Sequence, residues 1–273
     1  MKNFTEAKNS DTKKDHWVTN SKTENPYHIF VSYPQEPAPP SGYPVIYVLD
    51  GNAFFQTVAE TTRLQSRRCD KTGVPSAIVV GIGYPGAKDF VADRRFYDFT
   101  PPANSVHLPN KPNGGKWPNN GGADLFLDFI QEELKPFIQD NYPVNLNQQC
   151  LFGHSLGGLF TLYALFNQTI TFQNYIASSP SIWWNNQAVL EEEKQVTNLS
   201  ANSKTINLFL SVGSLEKDYM IKDTEALFNR LNQLPNSTMY TSYHKATGEN
   251  HLSVVPTVLS RSLRFIFKNY SPY

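Results

Sequence analysis

Two runs of this chain, Val45–Leu49 and Ala77–Ile82, consist only of aliphatic, aromatic and glycine residues. A strand with one face in water alternates polar and apolar residues. An unbroken run needs cover on both faces, as in a mainly parallel sheet between helical layers. The rest of the chain fits that demand. Strands are expected near Trp17–Thr19, Tyr27–Tyr33, Gln149–Phe152, Tyr175–Ser178, Ile206–Val212 and Met239–Tyr243. Between and after them come helical patterns. One runs from about Gly122 to Asp140, with Leu125, Phe126, Phe129, Ile130, Leu134 and Phe137 near helical spacing. The others start at Leu156 or lie near Gln187–Gln195, Thr224–Leu234 and Val254–Phe267. Strands alternating with helices over most of the chain give the α/β class, with a mostly parallel central sheet covered by helices on both faces.

The 273 residues suffice for one large domain with a substantial core. Residues 16–273 are read as that domain, and 1–15, mostly polar, as a frayed N-terminus. Asp93–Asn120 is rich in Pro, Gly and Asn and has no period. Such a segment between core elements reads as a lid or pocket wall, or as a mobile surface insertion.

Charge excludes some function classes. Lys plus Arg number 24 and Asp plus Glu number 24, so no overall field holds a nucleic acid or an anionic membrane. A charged ligand must be caught by a local cluster. Cys69 and Cys150 are the only cysteines; they form neither a disulfide framework nor a metal motif. No run reaches membrane-span length and no signal-like segment is evident, so a cytoplasmic protein, monomeric or dimeric, is expected.

The chemistry centres on Gly153-His154-Ser155-Leu156-Gly157-Gly158. A G-x-S-x-G match alone is a weak signal. Here it follows a short apolar strand, Cys150-Leu151-Phe152, and opens a helix, the setting of a nucleophile elbow. Gly153 and Gly157 are expected to let the chain pass closely, so that Ser155 projects alone. The helix N-terminus behind it offers free N–H groups where negative charge develops. The alternative is a glycine-rich connection with an idle serine.

A serine hydroxyl needs a base. Of six histidines, His251 in Gly248-Glu249-Asn250-His251 lies between the last strand and the last helix, where the base belongs in the chain order Ser, acid, His. His244 is the rival. The acid should follow the strand Ile206–Val212. Glu216 is the choice there and Asp218 the alternative, unless both only cap the next helix. Oxyanion donors should be the N–H of Leu156 and one from the loop after Val45–Leu49, Gly51 or Asn52.

Five segments taken together are far more specific than any one. They are Tyr43–Asn52, Arg95-Phe-Tyr-Asp-Phe-Thr-Pro101, the elbow, Ser179-Pro-Ser-Ile-Trp-Trp184 and Gly248–His251. Between about Tyr27 and Phe267 the chain resembles the esterase D-like "putative esterase" family. More narrowly, it looks like the bacterial branch containing ferric enterobactin (siderophore) esterases. The resemblance implies an α/β-hydrolase fold and cofactor-free, metal-free ester hydrolysis by Ser155 and His251. Some members of that branch use a Ser–His dyad, which would lessen the role of Glu216.

It also implies that Arg95 lies near the substrate, and a neutral protein binding an anionic iron–catecholate needs a local cation, which Arg94-Arg95 would supply. The other reading pairs Arg95 with Asp98 or Asp93. Trp183 and Trp184 either wall the site or roof the core. The expected substrate is a small-molecule ester, in first place an enterobactin-type trilactone. The other readings are a general short-chain carboxylesterase, a hydrolase of S-formylglutathione or other thioesters, and a non-catalytic binding protein.

Overall fold

The computed structural model describes residues 7–10, 12–111, 114–167, 171–192, 205–234 and 238–270. Among these residues nine strands form one sheet: β1 (Ala7–Ser10), β2 (Lys13–Thr19), β3 (Pro26–Ser32), β4 (Tyr43–Leu49), β5 (Ile78–Gly83), β6 (Val144–His154), β7 (Asn174–Ser178), β8 (Ile206–Gly213) and β9 (Met239–Ala246). Their spatial order is β1-β2-β3-β5-β4-β6-β7-β8-β9. The pairings from β1 through β3 to β5 are antiparallel, and all those from β5 to β9 are parallel.

The unbroken apolar runs have the predicted cause. Val45, Tyr47 and Leu49 of β4 point into one core, and Ile46 and Val48 into the other. Successive side chains leave opposite faces of a strand, so a strand sandwiched between two helical layers can carry no polar side. Helices α1 (Gly51–Ser66) and α9 (Val254–Ile266) cover the second core. Helices α3 (Ala92–Phe99), α4 (Ala123–Phe129), α5 (Lys135–Asn141), α6 (Leu156–Asn167) and α8 (Asp218–Asn232) cover the first, and α2 (Cys69–Thr72) and α7 (Val189–Glu192) are single turns. This is an α/β-hydrolase fold.

Four local expectations change. The polar N-terminus is paired from Ala7 onward, because ladder hydrogen bonds between β1, β2 and β3 need no apolar side chains. The irregular segment is shorter than expected, since Asp93–Phe99 is helical in α3. The helix expected from Gly122 to Asp140 is interrupted by a π-turn, Ile130–Leu134, just before Pro136, whose missing N–H cannot continue the ladder. Of the helix expected near Gln187–Gln195, only Val189–Glu192 lies in a helix, and residues 193–195 fall outside the described ones. No helix among the described residues is long and apolar enough to cross a membrane.

Candidate active site

Five adjacent parallel strands, β4, β6, β7, β8 and β9, end at the same edge of the sheet, and each carries one part of the site just beyond its C-terminus. Ligands of open α/β sheets bind at this edge. The tightest corner joins β6 to α6 at Ser155, whose φ is 60°, a left-handed conformation costing a non-glycine residue about 1–2 kcal/mol. Its backbone is held on both sides: Ser155 N–H donates to Ser178 O, and Ser155 O accepts from Ser181 N–H, both at 3.0 Å.

Glycine is needed around it, though not quite where expected. A Cβ on Gly153 would lie 2.1 Å from Gly157 O, and one on Gly158 would lie 2.9 Å from Pro180 Cα. A Cβ on Gly157 would meet nothing closer than 3.5 Å. The close approaches are therefore at Gly153 and Gly158.

The chain then brings together three groups from distant positions. Ser155 Oγ lies 3.0 Å from His251 Nε2, and His251 Nδ1 lies 2.7 Å from Glu216 Oε2. The Glu216 side chain is fully buried. Burial pushes its carboxyl up, but hydrogen bonds from His251, Ser179 and Gly213 outweigh that and hold it below the usual range. Glu216 is thus ionised where an imidazole would need it. The rivals fall away: Asp218 is exposed on the surface of α8 facing Lys222 at 3.9 Å, and His244 lies within β9 opposite Ser211.

Two serines and a glycine complete this arrangement without having been singled out from sequence. Ser179, left-handed at φ 46°, donates its hydroxyl to Glu216 Oε1 at 2.5 Å, and Gly213 N–H donates to the same oxygen at 2.8 Å. Ser181 Oγ is 3.4 Å from Ser155 Oγ. The Ser178–Ser181 corner beyond β7 therefore touches nucleophile and acid at once. Its only signal in the sequence was the Ser-Ser-Pro-Ser run itself, read there for its tryptophans.

The corner after β4 adjoins the elbow, since a Cβ on Gly157 would contact Leu49 and Asp50. Gly51 and Asn52 open α1 there, as Leu156 opens α6, so the N-termini of two helices adjoin each other. The Asn52 side chain is engaged elsewhere, with the backbone of Tyr84 and Gly86.

Arg95 is not free for a ligand. Its guanidinium makes a two-pronged pair with Asp50, both bonds 2.9 Å, between the rings of Phe90 and Phe99. Neither Asp93 nor Asp98 is its partner. The Asp50 side chain is completely buried and Arg95 is 14% exposed, so the pair braces the left-handed corner that presents Gly51. Arg94 lies over Tyr27 and Tyr84 and lines no part of the cleft at Ser155.

Removing one member of a buried pair strands the other, at a cost of about 3–5 kcal/mol. Arg95→Met is expected to lose that much stability in urea unfolding. Burial already pushes the Asp50 carboxyl up, and Arg95 pulls it back. Without Arg95 it rises further, so the loss should shrink as pH falls through that raised value and Asp50 becomes neutral. A pH-independent loss would mean that packing, not charge, is responsible.

The tryptophans divide. Trp183 lines the cleft with Ser155, whereas Trp184 is fully buried in the core. Trp117 from the irregular segment stacks on Phe96 and approaches Trp183 at 6.4 Å. His107 N–H donates to Asn185 Oδ1, so this segment is anchored beside Trp183 and Asn185, although none of its described residues lines the cleft.

His154, next to the nucleophile, turns its ring to 4.6 Å from that of His251. Burial lowers its pKa to about 3, the nearby His251 adding to the effect. The unfolded chain therefore binds a proton at pH 3–6.5 that the folded chain refuses. Stability from this group is complete above about pH 6.5 and falls by about 1.4 kcal/mol per pH unit below it. His154→Gln should flatten the pH slope of urea stability between pH 6.5 and 5 by that amount; an unchanged slope would refute this.

The cleft, about 490 Å³, is lined by Ser155, Ser181, Trp183, Glu216, His251 and the rim residues considered below. A cavity of about 240 Å³ near Tyr33, Glu36 and Arg63 holds none of these groups. Among the described residues, no cluster of three or more His, Cys, Asp or Glu side chains could hold a metal.

Comparison with known proteins agrees with the geometry. The chain is 44% identical over 261 residues to the ferri-bacillibactin esterase BesA of Bacillus subtilis, covering 94% of this chain and 90% of the relative. It is 36% identical to a siderophore enterobactin esterase of Emericella nidulans, covering 92% of each. The crystal structure of the BES protein from Bacillus cereus superposes with a TM-score of 0.90 at 48% identity, covering 95% of this chain and 97% of that one. The sequence profile of the family described as "Putative esterase" matches residues 20–254. With that match over most of its length, and the hydroxyl, imidazole and carboxylate aligned at the sheet edge, the chain belongs to this esterase family.

Proposed function

We propose that the protein hydrolyses the backbone esters of a siderophore through an acyl-enzyme on Ser155, with His251 as general base and Glu216 as its orienting acid. The observation that carries the reading is the continuous hydrogen-bonded line Ser155 Oγ–His251 Nε2, His251 Nδ1–Glu216 at the floor of an open cleft. The names of the relatives support the substrate class.

Ser155 Oγ attacks the ester carbonyl carbon while His251 Nε2 takes the hydroxyl proton. Buried Glu216 stabilises the resulting imidazolium. The carbonyl oxygen becomes an oxyanion, for which the N–H groups of Leu156 and of Gly51 or Asn52 are the donors. Collapse breaks the ester C–O bond, and His251 returns its proton to the departing alkoxide. Water then attacks the acyl-enzyme, giving up a proton to His251. Collapse then breaks the bond between the acyl carbon and Ser155 Oγ, which takes that proton back from His251 as the carboxylic acid leaves.

The test is an ester panel on purified protein: an enterobactin-type trilactone, free and iron-loaded, against p-nitrophenyl acetate and S-formylglutathione. The trilactone is expected to exceed the acetate by at least about 100-fold in kcat/KM, because only the larger substrate can use cleft contacts in the transition state. Acetate turnover with an untouched trilactone would instead favour a general carboxylesterase. Absence of any turnover and of fluorophosphonate labelling at Ser155 would leave only a binding role.

A further inference from the structure

Among the described residues six large hydrophobic side chains stand well exposed, and three of them, Leu215, Tyr219 and Leu252, line the cleft that holds Ser155. Leu215 is 67% exposed and Leu252 70%. A single exposed leucine means little. Three large apolar side chains around the mouth of one cleft are a binding surface.

Their exposure follows from the turns that build the site. Leu215 N–H donates to Glu249 O, and Glu216 N–H to Gly213 O. The tight turn after β8 tucks Glu216 inward and so turns Leu215 out. In the next loop, Asn250 Oδ1 accepts from the N–H groups of Leu252 and Ser253. That side-chain turn aims His251 at Ser155 and leaves Leu252 on the rim. The two turns that deliver acid and base also place a leucine beside each.

The rim carries one sign of charge. Among the described residues Lys217 is the only Lys or Arg lining the cleft, and its ammonium lies 5.7 Å from the centre of the Tyr219 ring. Among the described residues no carboxylate pairs with it. Glu216, the one carboxylate among the described residues lining the cleft, is buried and already engaged by His251, Ser179 and Gly213. A substrate entering the cleft meets apolar side chains, an aromatic face and an unneutralised positive charge.

We propose that Leu215, Lys217, Tyr219 and Leu252 form a subsite for an anionic aromatic arm of the ester substrate. The ring packs on Tyr219 and the two leucines, and the ionised ring oxygens meet Lys217. The proposal rests on the hydrolytic reading above and adds the group that must lie next to the scissile ester. A catechol ring held as its dianion by ferric ion suits this subsite better than the same ring protonated.

The experiment uses methyl esters of N-acetylserine, N-benzoylserine and N-(2,3-dihydroxybenzoyl)serine, the last with and without ferric ion. They are compared in the wild type, in Lys217→Gln, and in a Tyr219→Ala, Leu252→Ser double variant. The readouts are ratios of kcat/KM, which cancel any general loss of activity. The double variant is expected to lower the benzoyl-to-acetyl ratio about tenfold, as the loss of an aromatic packing surface implies. Lys217→Gln is expected to lower the ratio of the iron-loaded to the benzoyl ester about fivefold and to weaken its salt dependence. It should keep the benzoyl-to-acetyl preference.

Ratios unchanged in both variants, with the wild type active, would overturn the subsite and leave the hydrolytic reading standing. If Lys217→Gln instead affected iron-loaded and iron-free esters equally, the charge part of the proposal would fail. A wild type that neither turns over any of the esters nor labels with fluorophosphonate would overturn the hydrolytic reading itself.

Discussion

Ser155→Ala is expected to lower kcat on any ester by about 10⁶-fold, the scale seen when the nucleophile of a serine hydrolase is removed. The chain should fold as before. Alanine inherits the left-handed backbone of Ser155 at φ 60° with the same steric cost, and both backbone hydrogen bonds at this residue, to Ser178 and from Ser181, persist. Urea stability should therefore change by less than about 0.5 kcal/mol. His251→Ala should cost a similar factor, and the two losses should not add, because hydroxyl and imidazole act as one unit. Burst amplitude with an activated ester and fluorophosphonate labelling measure this directly. A Ser155→Ala protein retaining a tenth of wild-type turnover would place the chemistry elsewhere.

The second large effect is at Glu216, where both glutamine and alanine should be severe. Glu216 Oε1 accepts from Gly213 N–H and from the Ser179 hydroxyl, while Oε2 faces His251 Nδ1. Gly213 N–H can only donate, so the carbonyl oxygen of a glutamine must turn towards it. The amide NH₂ then faces His251 Nδ1 and forces the ring proton onto Nε2. An imidazole in that tautomer cannot accept the Ser155 proton, and kcat should fall about 10⁴-fold. Glu216→Ala removes the group that orients the ring and stabilises the imidazolium, and should lose a similar factor, about 3 × 10⁴-fold. Steady-state kinetics on one activated ester compares them. Losses below tenfold in both variants would mean that Ser155 and His251 work as a dyad, as the resemblance allowed.

The pairing of Arg95 shows where local reading stopped. Two adjacent arginines entering an irregular segment look available for an anionic substrate. Whether Arg95 is available depends on Asp50, 45 residues earlier, being buried beside it without another partner. Nothing in the spacing of the two residues shows that. Trp184 is similar: it follows Trp183 directly, yet one side chain lines the cleft and the other fills the core. Neighbours on a turn point in different directions, and only packing decides which of them is covered.

From the residues alone came the α/β class, the two-faced burial of the central strands, the elbow at Ser155, and the choice of His251 and Glu216 as base and acid. Each follows from a local cause: period, an unbroken apolar run, or a chain order dictated by strands that end at one sheet edge. Tertiary structure alone decided which groups hold those three in place. Ser179, Gly213 and Asp50 gain their roles because β4, β7 and β8 are near neighbours of β6 in space. Hydrogen bonds and ion pairs act over about 3 Å, whereas sequence separation sets no distance once the chain has crossed the sheet.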